Sequence, residues 1–330
     1  MKKLVSIIIL NYNKSQDTID CLKSLKIQTY KNFEILLVDN GSEYNSFLEM
    51  KRELKQFSEA LEIVLIRNKV NVYFTVGNNK ALKNANGEYI CLLNNDTIVS
   101  PDFIERMVDF LEENSDAGMI SPKIKAYINK DYLWYAGALV NLRKASISIL
   151  RGRWEFDPQN QNYNEVSLTD YAAGTALFLK KEVIDKIGLL DEIFFMYFEE
   201  TDWNLRAKKK GYKIYYVPTT IIYHNVTPII GKKALLLKKF FFNRNKQILV
   251  WKHAKFIDLL IFYLGYSLKN LKMMLIAVMN RQLYLIFLLF YSFLQGLRIG
   301  IKRRSNRSCS KNIIKDYNSL KWIQRFLKYN

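Results

Sequence analysis

The apolar positions of the first 230 residues fall into short runs, separated by stretches in which they recur at helical spacing. Residues 4–10, LVSIIIL, are almost continuously apolar, as a strand covered on both faces must be. DTIDCLKSLKIQ follows at 17–28, with Ile19, Leu22 and Leu25 on one helical face. FEILLVD at 33–39 and LEIVLI at 61–66 read as two more buried strands. GNNKALKNANGEYICLL, 77–93, predicts a helix closing near Gly87 and then a fourth strand. Ser100 and Pro101 open another helix, with Ser as N-cap and Pro at the first helical position. DYAAGTALFLKKEVIDKIG, 170–188, predicts a strand and a short helix. A further helix runs from about Glu200 to Lys210, with Gly211 beyond its end. YKIYYVP and TIIYH read as closing strands. This alternation predicts an α/β fold: an open, mainly parallel sheet with helices on both faces. Ligands of such sheets sit beyond the carboxyl ends of the strands.

That rule selects candidate residues. The first strand ends at Asn11, Tyr12 and Asn13, the second at Asp39 in VDNGS, and the fourth at Asn94, Asn95 and Asp96 in LLNNDT. These polar groups suit a nucleotide and a cation. No G-x-G-x-x-G follows the first strand and no G-x-x-x-x-G-K-[ST] occurs, which disfavours ordinary dinucleotide and P-loop sites. Each candidate has a plainer reading. Asp96 before Thr97 is either a turn residue or a ligand to Mg²⁺ or Mn²⁺, which prefer oxygen donors. Asp39-Asn40-Gly41-Ser42 is strong turn chemistry, or its carboxylate accepts from a nucleobase N–H or a ribose hydroxyl. His224 ends a closing strand and is either structural or an imidazole brought to the same cleft.

Glu199, Glu200 and Asp202 directly follow FFMYF. Acids at a helix start are favoured by ~0.3–1 kcal/mol through the macrodipole. That does not account for five apolar residues leading into them. A water-poor wall beside a catalytic carboxylate does, which makes this cluster a candidate general base.

Charge divides the chain. Residues 231–330 hold 21 of the 50 Lys and Arg but only Asp258 and Asp316 among the 31 acids, so the 29 bases and 29 acids of residues 1–230 cancel and the net +19 is C-terminal. Two parts with different partners are expected, 1–230 and 231–330. The second interleaves bases with FIDLLIFYLGYSL and QLYLIFLLFYSFLQGL. Its longest uncharged run, Gln282 to Leu297, has 16 residues. As a helix it spans ~24 Å, short of a ~30 Å hydrocarbon core. Helices lying on an anionic membrane surface are therefore expected, a packed helical bundle being the alternative. Nucleic-acid binding is not expected, because the apolar runs are long and aliphatic and no recognition motif appears. Cys21, Cys91 and Cys309 lie far apart, suggesting neither a disulfide framework nor a zinc site, and hence a reducing compartment. The basic, apolar N-terminus lacks a small-residue cleavage site and reads as the first strand rather than a signal peptide.

The ordered motifs VSIIILNYNK, ILLVDNGS, VGNNKAL, GEYICLLNNDT, GLLDEIFFMYFEETDWNLRAKKKGYKIYYVP and TIIYH resemble a family 2 glycosyltransferase of GT-A type, in the rhamnosyltransferase-like branch, over roughly residues 4–230. The resemblance implies a Rossmann-like nucleotide-diphospho-sugar transferase fold and inverting transfer of a sugar from a dTDP-, UDP- or GDP-linked donor. It implies that Asn11, Tyr12, Asp39, Asn94 and Asn95 hold the nucleotide. Asp96, with help from His224, would hold Mg²⁺ or Mn²⁺. Glu200 would stand where the family usually has the Asp of E-D-x-D, as catalytic base flanked by Glu199 and Asp202. The branch builds bacterial surface polysaccharides, so the acceptor implied is a lipid-linked glycan at the cytoplasmic face of the cell membrane. A processive synthase is the other enzymatic reading, but QGLRI, 295–299, lacks the Trp of Q-x-x-R-W and lies past the catalytic part. A binding module without turnover is the non-enzymatic one. The single carboxylate of Asn94-Asn95-Asp96, the Glu at 200, and Tyr73 and Val76 where relatives often carry glycine, depart from the pattern.

Overall fold

The computed structural model describes residues 2–144, 148–226 and 231–305. Residues 306–330 of the basic region, with Cys309 and Asp316, lie outside the described residues. The chain divides into two compact units. One comprises Met1–Leu139, Leu150–Asp191 and Glu200–Thr227; the other comprises Val140–Ile149, Glu192–Glu199 and Pro228–Asn330.

The first unit is built on the predicted runs. Strand β1 (Val5–Asn11) is followed by α1 (Ser15–Lys26), β2 (Phe33–Asp39), α2 (Tyr44–Glu53), β3 (Ile63–Arg67), α3 (Tyr73–Leu82) and β4 (Tyr89–Asn94). Then come β5 (Thr97–Val99), α4 (Phe103–Glu113), β6 (Ala117–Ala126) and β7 (Leu133–Tyr135). β8 (Ala138–Val140) and β9 (Ser148–Leu150) form a separate two-stranded sheet; Val140 of β8 and Ser148 and Ile149 of β9 belong to the second unit. β10 (Ser167–Leu168), β11 (Ala176–Lys180), α5 (Lys181–Ile187), α6 (Glu199–Lys209) and β12 (Lys213–His224) complete it. The main sheet runs β10-β12-β6-β11-β4-β1-β2-β3, with β5 on β12 and β7 on β6. β1, β2, β3 and β4 are parallel neighbours, and β12 is parallel to β6. β11 enters antiparallel between β4 and β6, so the sheet is mixed but mostly parallel.

Continuous apolar runs serve two layers at once. Ile7 and Ile9 of β1 join one core cluster with Leu22 and Met107, while Ile8 joins the other with Leu82 and Trp203. Side chains alternate faces along a strand, so a strand covered twice must be apolar throughout.

The local expectations change in three places. The helix after β5 starts at Phe103, after Asp102, not at Ser100-Pro101; the Ser100 hydroxyl donates to the Ile221 carbonyl at 2.6 Å, and Phe103 N donates to the Ser100 carbonyl at 3.0 Å. α3 ends at Leu82 rather than near Gly87; a side chain at Gly87 would collide with the Ser6 backbone nitrogen, 2.5 Å from an ideal Cβ. YKIYYVP and TIIYH are one strand, β12, whose register shifts between Val217 and Ile221, on either side of Pro218.

In the second unit, α7 (Lys232–His253), α8 (Phe256–Met279) and α9 (Leu283–Ser305) follow. Gly296 and Gly300 let α9 approach α7 closely: a Cβ at Gly296 would lie 2.4 Å from the Arg244 carbonyl oxygen. Arg143 Nε donates to Asp258 Oδ1 at 2.6 Å, tying segment 140–149 to the start of α8. α8 and α9 contain 24 and 23 residues and are long and apolar enough, by length and composition, to cross a membrane. They exceed the uncharged 16-residue run because the helices continue through Lys269, Lys272 and Arg298.

Trp203 is fully buried and its indole N–H donates to the Gly188 carbonyl at 2.8 Å. Trp203→Ala is expected to cost about 3–5 kcal/mol, read as a lowered denaturant midpoint; an unchanged midpoint contradicts this packing.

Candidate active site

The strand ends are held together by one amide. Asn11, the last residue of β1, is fully buried. Its Nδ2 donates to Asp39 Oδ1 at 3.2 Å and to Ser42 Oγ at 3.4 Å. Its Oδ1 accepts from Lys14 N, Thr18 Oγ1 and Asn95 Nδ2 at 3.2, 3.1 and 3.5 Å. The ends of β1, β2 and β4 are thereby one network. Asp39 is fully buried; Arg67 Nε lies 3.4 Å from its Oδ2, and the guanidinium stacks 3.6 Å from the Phe47 ring centroid. Tyr12 is half-exposed directly beyond β1. Asn94 contributes its backbone, accepting from the Thr97 hydroxyl at 2.6 Å and donating to Thr175 O at 2.9 Å.

Asp96 meets His224 across the β5–β12 pairing. His224 Nε2 lies 3.2 Å from Asp96 Oδ1, and the Trp134 ring packs edge-on at 5.5 Å. Trp134 in turn contacts Trp154 at 5.1 Å, which stands half-exposed. Two ligands of a Mg²⁺ or Mn²⁺ ion with bonds of about 2.1 Å stand ~3 Å apart at adjacent octahedral corners, so this pair fits one cation. No cluster of three or more His, Cys, Asp or Glu able to hold a metal occurs among the described residues. The remaining positions would belong to donor phosphates and water. Nearby, burial pushes the Cys21 thiol up to about 12, so it stays neutral and is no nucleophile.

Glu200 reaches the same strand ends through the turn before β11. Its Oε1 accepts from the Tyr171 hydroxyl at 2.8 Å, and a Cβ on Gly174 would sit 3.2 Å from that oxygen. Gly174 precedes Thr175, whose carbonyl binds Asn94. The carboxylate thus lies against a turn that is hydrogen-bonded two residues from Asp96. Helix α6 is fixed to the same segment. Asn204 exchanges hydrogen bonds of 3.0 and 3.1 Å with the Ala172 backbone.

The three predicted catalytic acids separate. Asp202 is fully buried in an ion pair with Arg206 at 2.8 Å, and that guanidinium also donates to the carbonyls of Ile187, Gly188 and Leu189. Residues two apart on a helix point about 200° apart. Asp202 therefore anchors α6 rather than flanking Glu200. Glu199 is buried at the helix start and groups with the second unit. Asp39 Oδ2, Asp96 Oδ1 and Glu200 Oε2, together with His224 Nδ1, are buried without an aligned hydrogen-bond partner among the described residues. Asp39 and Asp96 still have charge partners in Arg67 and His224, while Glu200 Oε2 has no aligned partner among the described residues, and buried polar groups like these call for water or a ligand. Tyr171, Gly174, Arg67 and Asn204 were not singled out from the sequence; their roles arise from partners 26 to 32 positions away or more.

The profile of glycosyl transferase family 2 matches residues 6–188, over half of the chain. The chain belongs to that family. This family 2 glycosyltransferase is 26% identical over 215 residues to the low-salt glycan biosynthesis hexosyltransferase Agl10 of Haloferax volcanii, covering 64% of this chain and 63% of that one. It is 35% identical over 116 residues to an uncharacterized glycosyltransferase of Rickettsia conorii, covering 34% of this chain and 18% of that one. The chain thus spans less than two thirds of either relative. Its fold is similar to the mannosyltransferase PcManGT of Pyrobaculum calidifontis, solved with GDP-Man and Mn²⁺ (TM-score 0.55, 12% identity, 93% of this chain and 88% of that one). It is also similar to GalNAc-T7, solved with UDP, GalNAc and Mn²⁺ (TM-score 0.57, 16% identity, 74% of this chain and 51% of that one). The family 2 chain therefore has a GT-A-like fold, a mostly parallel mixed sheet with helices and additional C-terminal helices.

Asn204→Leu strands both Ala172 backbone groups. It is expected to destabilise the protein by about 1–3 kcal/mol, measured by chemical denaturation; full retention of stability would contradict the anchoring of α6.

Proposed function

We propose that this chain transfers a sugar, hexosyl or rhamnosyl, from a nucleoside diphosphate donor to a hydroxyl of a lipid-linked glycan acceptor, with inversion at the anomeric carbon. The carrying observation is the set of buried, unaligned carboxylate oxygens of Asp39, Asp96 and Glu200 around strand ends joined by Asn11. Asp39, Asn95 and Tyr12 would receive the nucleoside, with the buried Asn11 holding Asp39 and Asn95 in place. Asp96 and His224 would hold Mg²⁺ or Mn²⁺ against the diphosphate. When bound, such an ion offsets the negative charge that grows on the departing diphosphate.

Glu200 takes the proton from the acceptor hydroxyl through Oε2, while Tyr171 donating to Oε1 fixes the carboxylate plane. The acceptor oxygen forms its bond to the anomeric carbon on the face opposite the phosphate. The carbon–oxygen bond to the phosphate breaks, and its electron pair leaves with the nucleoside diphosphate. Holding both substrates in line supplies much of the rate. The half-exposed Trp154, backed by Trp134 against His224, supports a carbohydrate acceptor, whose apolar C–H face suits an aromatic wall.

The second unit supports a membrane-bound acceptor. Leu260, Leu264, Leu268, Leu271 and Leu275 are exposed along α8 at spacings of three and four residues. Lys302, Arg303 and Arg304 close α9, matching anionic headgroups. We place the protein accordingly on the inner face of the cell membrane.

A screen of dTDP-, UDP- and GDP-sugars with Mg²⁺ or Mn²⁺ identifies the donor. With that donor, Glu200→Gln is expected to lower turnover by roughly 100-fold or more while keeping donor affinity, and Asp96→Ala to abolish stimulation by the cation. Unchanged turnover in both variants removes the proposed site. The full chain is expected to sediment with vesicles containing anionic lipid, less so as salt rises; binding to oligonucleotides alone removes the membrane assignment.

A further inference from the structure

The segment leading into Glu200 is not built as a helix or strand. Phe195, Tyr197 and Phe198 have φ of 59°, 69° and 70°. This left-handed region is adopted rarely by side chains of such bulk, and it persists only where surroundings enforce it. The enforcing groups come from α7, in the same compact unit as residues 192–199. Asn245 is fully buried, and its Nδ2 donates to the carbonyls of Phe194, Met196 and Tyr197 at 2.6, 2.8 and 3.0 Å. Arg244 donates to the Ile193 carbonyl at 2.8 Å and to Asn245 Oδ1 at 2.6 Å. The guanidinium therefore settles which way the amide faces: its oxygen is taken, and both N–H groups point at the turn. Phe195 packs on Phe241 at 6.0 Å and Phe198 on Phe242 at 4.7 Å, so the aromatics seat on either side of the polar clamp.

We propose that Asn245, oriented by Arg244, is a positioning residue for Glu200. It captures the carbonyls of Phe194, Met196 and Tyr197 in the 194–197 turn and so sets where α6 begins, one residue before the base. This rests on the reading of Glu200 as the base.

The test uses the full chain in detergent with its donor and acceptor. Asn245→Leu removes both N–H donors. The expected result is a kcat fall of roughly 100-fold, the penalty of a small misplacement of a reacting group, with donor KM changed less than about 2-fold. Hydrogen exchange should quicken in peptides covering 194–204 and stay unchanged over 5–11 and 33–39. Asn245→Gln, which retains the donors, should recover part of kcat. Should the Leu variant not fold, Asn245→Ala removes the same donors without adding bulk. An unchanged kcat overturns the proposal. So does a rise in exchange across all three regions with kcat and KM altered together, which marks general destabilisation. Glu200→Gln is assayed alongside. If it keeps wild-type kcat, the base assignment fails, and local exchange at 194–204 in the Asn245 variant then separately decides whether the clamp orders the turn.

Discussion

Parallel strands end in backbone and side-chain groups that the sheet itself cannot satisfy, and here one buried amide resolves most of that problem. Asn11 donates toward Asp39 and Ser42 and accepts from Lys14, Thr18 and Asn95. A hydroxyl or a carboxylate in its place could not both donate and accept in these directions. Asn11 takes one Asp39 oxygen, and the other lies 3.4 Å from Arg67 Nε. The ligand-facing atoms are what remains after internal demands have been met.

The same economy governs α6. Asn204, one turn after Glu200 and on the same side of α6, binds Ala172, the neighbour of the Tyr171 that donates to Glu200, so one segment both fixes the helix and meets the carboxylate. Trp203 fills the layer beneath the sheet, Asn204 binds the strand side, and Asp202 with Arg206 grips the turn after α5. Only Glu200 faces the Gly174 turn, and Gly174 leaves room for it.

Much of the fold was legible because buried parallel strands must be apolar and the helices between them must be amphipathic. The strand-end positions 11, 39 and 96 followed from that pattern plus one topological rule. Asp202 misled because proximity in sequence was read as proximity in space, whereas helical geometry turns it away from Glu200. Tyr171, Gly174 and Asn245 were invisible for the opposite reason. Each is an ordinary residue whose meaning comes from a partner far along the chain, 29 positions for Tyr171 and about 50 for Asn245. The helix expected at Ser100 begins three residues later, at Phe103, and the Ser100 hydroxyl is engaged in a tertiary bond to Ile221. FFMYF was recognised as anomalous for a surface helix start, and its explanation lay in α7.

The path of the chain through its two compact units carries a consequence for biogenesis. Residues 192–199 belong to a unit whose other members are mostly found after position 228. A protein made from its N-terminus folds early segments first, yet this turn meets its hydrogen-bond donors only once residue 245 has been synthesised. The sheet and its strand-end network can form beforehand, but the turn that enters α6 cannot be finished. Completion of this turn is thereby timed to the synthesis of α7, which the apolar helices α8 and α9 follow directly.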